Sequence, residues 1–363
     1  MKYWIVCVVL CLASILNAAD EIPVKEIQDA MRKACDYQLA EQAKKKADNG
    51  WVRGAFYTGV TAAYHATQDE HYLDAAMKWA KEQGNFTPSG NQRDANNQCC
   101  GQTYLDLYLL KRDPAMVAPI RAAVDQMIAK PRPGRVDWWW CDSMFMAPPT
   151  IARLGTVTGD ANYFDFLDQM FWDSSAFLFD PEANLYFRDK SFFNARTKNG
   201  QKVFWSRGNG WVFGGLCRTI DFIPPERATY SRYVERFQAM AAALAKLQGA
   251  DGLWRSSLLD AAEFPMPETS GTGFYCYGFA WGLNNSKLDQ ATYLPIARKA
   301  WRGLVGKLTA EGKLGYVQKV AGAPGAVKAE DTHEYAVGAF LLAGSELMQL
   351  ENRLKQIEDT KSK

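Results

Sequence analysis

The triplet Trp138-Trp139-Trp140 runs into Cys141, Asp142 and Ser143, and then into the apolar stretch Met144-Phe145-Met146-Ala147-Pro148-Pro149. A single carboxylate set among so much apolar surface is costly to ionise unless something compensates it. The same surroundings raise a carboxyl pKa, which suits a group that must hold and then release a proton. Two roles fit Asp142 at this point: the general acid/base of an enzyme, or the N-cap of a helix beginning at Ser143.

A second cluster is Trp205-Ser206-Arg207-Gly208-Asn209-Gly210-Trp211. Arg207, between two indoles, carries the planar fork that binds both oxygens of a carboxylate. A structural ion pair with a neighbouring helix is the other use of the same side chain. Gly208 and Gly210 allow a close approach of backbone or ligand. Four more polar or aromatic clusters occur along the chain: Trp51-Val52-Arg53-Gly54, Asp94-Ala95-Asn96-Asn97-Gln98, Glu268-Thr269-Ser270-Gly271-Thr272-Gly273 and Glu330-Asp331-Thr332-His333-Glu334-Tyr335.

The elements that must position these clusters are helical. Amphipathic periodicity with charged outer faces predicts helices over Val24–Asp48, Asp69–Gln83, Pro114–Ala129, Asn162–Trp172, Tyr230–Leu247 and Gln290–Leu308. Asp69, Asp113-Pro114 and Asp160 supply start signals. Between these lie six less charged stretches, rich in Gly, Ala and aromatics, starting near Val52, Ala95, Cys141, Ser206, Ser270 and Asp331. Such stretches are helices buried on most sides. Outer and inner types alternate, and each inner helix needs neighbours to bury it, so six helical hairpins closing into an all-α (α/α)6 barrel are expected.

Every polar cluster precedes an inner helix. In a toroid all six inner N-termini open on one mouth, so the clusters converge there, and helix N-termini favour an anion. Two interruptions are expected inside this frame. One is a short hairpin in Phe179–Val203 with an Asn199-Gly200 turn; the other is a long loop over Ala310–Ala329.

Lys2, the apolar segment Trp4–Leu16 and the small residues Asn17-Ala18-Ala19 are the pattern of a cleaved secretory leader over residues 1–19. A single catalytic domain then spans 20–351, followed by a frayed charged tail over 352–363. Export, to a bacterial periplasm, follows from that leader. The formal charge of +2 gives no field that would draw nucleic acid or an anionic membrane. Cys35, Cys99, Cys100, Cys141, Cys217 and Cys276 show no disulfide-framework spacing, so buried free thiols are expected. These cysteines and His65, His71 and His333 have no metal-ligand spacing. The 12 Trp, 16 Tyr and 19 Phe fill a core and also provide flat faces for sugar rings.

Trp140–Pro149, Trp205–Trp211, Glu268–Phe274 and Ala339–Glu346 together resemble glycoside hydrolase family 105, the unsaturated rhamnogalacturonyl and glucuronyl hydrolases. The resemblance covers nearly all of the mature chain and implies the same (α/α)6 fold. It implies Asp142 as general acid/base, with Trp140 and Met146 lining its pocket, Arg207 and Trp211 near the substrate's uronate, and Trp51 at the entrance. Arg53, Asn96, Asn97, Trp205 and His333 are candidate substrate contacts from the converging clusters. Two departures stand out: family members commonly carry a second carboxylate where this chain has Asn96 and Asn97, and a loop histidine of some members has no counterpart near Phe187 and Arg188.

Ordinary glycosidases need two carboxylates, whereas one well-placed acid suffices to hydrate a C4=C5 double bond. The expected substrate is therefore an oligosaccharide ending in an unsaturated uronate, with no cofactor or metal called for. An intact-polymer lyase, a sugar epimerase and a non-catalytic oligosaccharide-binding protein are the rival functions. Oligomeric state is not readable from the sequence.

Overall fold

A computed structural model of the chain describes residues 21–88 and 90–361. The expected leader over residues 1–19 lies outside these. In chain order the helices are α1 (Val24–Gln42), α2 (Trp51–Thr67), α3 (Glu70–Glu82), α4 (Ala95–Gln98), α5 (Cys100–Lys111), α6 (Ala118–Ala129), α7 (Gly134–Asp137) and α8 (Ser143–Met146). They continue with α9 (Pro148–Thr158), α10 (Ala161–Leu178), α11 (Ser206–Ile220), α12 (Tyr230–Ala245), α13 (Thr269–Asn284), α14 (Gln290–Val305) and α15 (Glu334–Lys361).

The alternation holds throughout. Helices α1, α3, α6, α10, α12 and α14 form the outer ring, each burying one stripe only. The inner ring is α2, α4–α5, α8–α9, α11, α13 and α15. Every residue of α11 from Ser206 to Ile220 is buried, as the absence of a charged face requires. Consecutive inner helices touch, and α15 packs back on α2, so the ring is closed. The seam depends on bare backbone. A Cβ on Gly59 would lie 2.3 Å from the Gly338 carbonyl oxygen, and one on Gly338 would lie 2.2 Å from that of Ala55. This is the (α/α)6 toroid expected from the sequence.

Asp69, Asp113, Asp160 and Asp289 each accept a backbone N–H at the start of an outer-ring helix or turn. Pro148-Pro149 splits the third inner helix, since Pro148 cannot donate to Met144, and α8 is left as one short turn.

Two details differ from expectation. The paired strands are Phe179–Asp180 (β1) and Leu185–Tyr186 (β2), turned through Asn184 at φ 53°, and the Asn199-Gly200 tip makes only an isolated Arg196–Lys202 bridge. The charged C-terminus continues α15 to Lys361 rather than fraying at 352. It is tied by Arg353, whose Nη2 donates to the Leu283 carbonyl at 3.0 Å, while Leu354 packs on the core. The six cysteines from Cys35 to Cys276 are buried free thiols. No helix among the described residues is long and apolar enough to cross a membrane.

Candidate active site

The inner N-termini meet at one mouth. Trp51, first in α2, stacks on Tyr335 of α15 with centroids 5.6 Å apart, and meets Trp211 of α11 edge-on at 6.1 Å. Trp211 is fully buried against Phe145 and Phe274 and forms the floor. The turn carrying Asn96 and Asn97 packs against α8. A Cβ on Gly208 would come within 3.0 Å of the Cys141 Sγ, so α11 and the Asp142 turn are in direct contact.

Asp142 precedes α8 in right-handed helical geometry (φ −60°, ψ −28°), and its side chain caps nothing. That separates it from Asp69, Asp94, Asp160, Glu268 and Asp289, whose carboxylates all accept backbone N–H groups at helix starts. The capping role is thus ruled out by geometry. The side chain is nearly buried; burial pushes its carboxyl above the usual range, and Arg188 and then Arg207 pull the other way without cancelling the effect. The neutral Cys141 thiol, held protonated by burial and by Asp142 itself, donates to Asp142 Oδ2 at 3.5 Å.

Arg188 was missed in the sequence except as a departure. Its Nε lies 3.7 Å from Asp142 Oδ2 and its Nη1 donates to Asp189 at 2.7 Å. Its guanidinium sits 5.0 Å from the Trp139 ring centroid. The Nε hydrogen has no hydrogen-bond partner although it is buried. The backbone is fixed as well, since Cys141 N donates to the Arg188 carbonyl at 2.8 Å. The only local signal was a polar pair, Arg188-Asp189, directly after the aromatic pair Tyr186-Phe187.

Arg207 is placed differently from expectation. It is 1% exposed, and Nη1 and Nη2 donate to the carbonyls of Gln318 and Lys319 at 2.7 and 2.9 Å. The guanidinium is layered between Trp205 and Tyr335, 4.4 and 4.9 Å from their centroids. Trp205 Nε1 donates to Gln318 Oε1 at 2.7 Å, and the Tyr335 hydroxyl donates to the Gln318 carbonyl. Arg207 and Trp205 therefore pin the long loop over the barrel mouth. Arg53 is committed too: its Nε pairs with Glu334 at 3.2 Å and its Nη2 donates to the Lys46 carbonyl, locking α2 to the start of α15.

Of the other expected residues, Trp140 and Met146 are buried beside Asp142, while Asn96 and Asn97 are half-buried. Asn97 Nδ2 donates to the Asn91 carbonyl at 2.8 Å. His333 stacks on Tyr335 at 4.4 Å, and its Nδ1 accepts from Glu334 N at 3.1 Å. Burial, then Arg207 and Lys45, lower its pKa to about 4. A neutral ring with Nδ1 accepting must carry its proton on Nε2, so His333 is a fixed donor at neutral pH.

A closed α-toroid with an uncapped, buried carboxyl between arginines and indoles at its mouth fits a carbohydrate-processing enzyme of the (α/α)6 class. Residues 24–351 match the family described as Glycosyl Hydrolase Family 88, and the chain belongs to that family of glycoside hydrolases. The likeness to unsaturated uronyl hydrolases read from the motifs is thereby borne out. Over 345 residues the chain is 34% identical to an unsaturated 3S-rhamnoglycuronyl hydrolase of Formosa agariphila, covering 90% of this chain and 91% of that one. A solved glycosyl hydrolase family 88 protein from Bacteroides vulgatus superposes with a TM-score of 0.85 at 30% identity, covering 91% of this chain and 100% of that one. A solved protein described as a polysaccharide lyase gives a TM-score of 0.84 at 32% identity, with 90% and 97% covered.

Proposed function

We propose that this protein is an exo-acting hydrolase that removes a terminal Δ4,5-unsaturated uronic acid from lyase-generated oligosaccharides. The observation that carries this reading is Asp142: a buried carboxyl with a raised pKa, free of any capping duty, beside a cation with an unused N–H. The unsaturated rhamnoglycuronyl substrate named for the Formosa relative supports the substrate class.

Protonated Asp142 gives its proton to C4 of the enol ether, which leaves positive charge shared by C5 and the ring oxygen. Water adds at C5 and Asp142 recovers a proton from it. The resulting hemiketal opens by cleavage of the C5–ring oxygen bond to give a C5 ketone. The C1 hemiacetal thus formed releases the aglycone as an alcohol. One acid/base serves both proton transfers, so the amides Asn96 and Asn97 need only hold a hydroxyl or water.

Arg188 fits the substrate carboxylate better than Arg207 does, because its Nε is free while both Arg207 Nη atoms are bound to backbone. A carboxylate paired with Arg188 would also mask the main cation that lowers the Asp142 pKa. Substrate binding would then favour the protonated acid that the first step needs. His333 Nε2–H, Trp140 and Trp51 complete the walls. A leader over residues 1–19 would deliver the enzyme outside the cytoplasm, where polymer-degrading lyases leave such ends.

The test is the ultraviolet enol-ether band of an unsaturated uronosyl disaccharide. The hydrolase consumes that band. The lyase description of one similar structure favours a second reading, in which an intact uronate polymer gains the band instead. A rise in absorbance on intact polymer, with no decay on the disaccharide, sinks the proposal.

A further inference from the structure

The three consecutive tryptophans do not share one fate. Trp138 is 0% and Trp140 6% exposed, whereas Trp139 between them is 47% exposed. Burying an indole is strongly favourable, and this one is left at the surface beside the catalytic turn. It is also held rather than loose. Trp140 lies 4.9 Å from it at 51°, and the Arg188 guanidinium is 5.0 Å from its centroid. That guanidinium in turn reaches Asp142, so a single arginine head separates the exposed ring from the acid.

The long loop closes the other side. A Cβ on Gly322 would lie 3.3 Å from Arg188 Cζ, which places the loop backbone against the same guanidinium. Two residues before it Val320 is 55% exposed, another of the few large apolar side chains left at the surface. The loop is pinned there by Arg207 and Trp205, so Val320 rides on a rigid support. Trp139 and the loop backbone at Gly322 thus come from segments far apart in the chain and meet the same Arg188 guanidinium at the outer edge of the site.

We infer that Trp139 is the platform for the sugar on the leaving side of the scissile bond, with the loop that carries Val320 bordering it, and that aglycone choice is exercised there. The inference rests on the hydrolase reading above. With the unsaturated ring seated between Asp142 and Arg188, the aglycone must project outward past Arg188, where the first wide apolar surface is the Trp139 face. A pyranose ring offers a C–H-rich face for such a platform; a methyl aglycone offers too little area to use it.

The experiment compares kcat/KM on an unsaturated uronosyl disaccharide and on the methyl glycoside of the same unsaturated uronate. For Trp139→Ala the ratio of disaccharide to methyl glycoside should fall about tenfold or more, mostly through KM, with Trp139→Phe retaining most of the preference. Val320→Ser should lower the same ratio less. The pH profile on the disaccharide should keep its limbs, because the ring acts on the substrate and not through Arg188 on Asp142. An unchanged ratio, or a shifted limb with equal loss on both substrates, overturns the assignment. Failure of the wild-type enzyme to turn over either compound overturns the hydrolase reading instead. Thermal unfolding of each variant shows that losses are not losses of fold.

Discussion

Arg188 holds its Nε 3.7 Å from Asp142 Oδ2 while its Nη1 is spent on Asp189 at 2.7 Å. The nearest cation is thus close enough to act on the Asp142 carboxyl through space but gives its short hydrogen bond to another acid. A tight Arg–Asp142 pair would leave the carboxylate ionised and useless as an acid. The looser arrangement lets burial hold the carboxyl above its usual range and leaves Nε without a hydrogen-bond partner.

Asp142→Asn should reduce kcat on an unsaturated disaccharide by roughly 10³-fold or more, the upper range for losing a general acid/base. Substrate affinity should change little. The variant should also unfold at a higher temperature at neutral pH. A carboxyl whose pKa is raised by folding destabilises the native state as pH climbs from its unfolded value through its folded value, and Asn removes that cost. Ultraviolet decay and thermal melts measure both.

Arg188→Gln should lower kcat/KM by roughly 10- to 100-fold, as expected when a charge-assisted contact is lost. It also removes the leading influence that depresses the Asp142 pKa. With Asp142 as the proposed acid, activity falls as pH rises through its pKa, so the alkaline limb should move to higher pH. A limb moving to lower pH would contradict this electrostatic account.

His333, lowered to about 4, should show no titration near its ordinary value when its ring protons are followed by NMR. Native protein should lose stability as pH falls from about 6.5 toward that value, because only the unfolded chain gains the proton there. His333→Gln should blunt this acid sensitivity. The same variant should weaken substrate binding if the Nε2 donor is used.

Gly59→Ala should destabilise the fold by about 2 kcal/mol or more, since the added methyl meets backbone that cannot swing away. The denaturant midpoint should drop accordingly. Ala in place of Gly200, whose Cβ would meet nothing within 4 Å, is a control in which only the positive φ of 82° is strained.

The alternation of charged and uncharged helices was legible because it is local: each helix declares its buried faces in its own residues. From that alternation followed the toroid, the shared mouth and the place of Asp142, flanked by residues adjacent in sequence. What the sequence could not settle was the assignment of the arginines. Arg207 looked free between two tryptophans, yet its donors are taken by carbonyls 111 and 112 residues away. Arg53 is likewise claimed by Glu334 across the ring seam. Arg188 sits in irregular chain with no periodicity to mark it, and only packing brings it over Asp142. The exposure of Trp139 between two buried neighbours was equally invisible, since three identical residues differ only in which way tertiary structure turns them. Local pattern determined the scaffold and the position of Asp142; long-range contacts decided which side chains remained free to meet a substrate, because availability depends on every partner within reach.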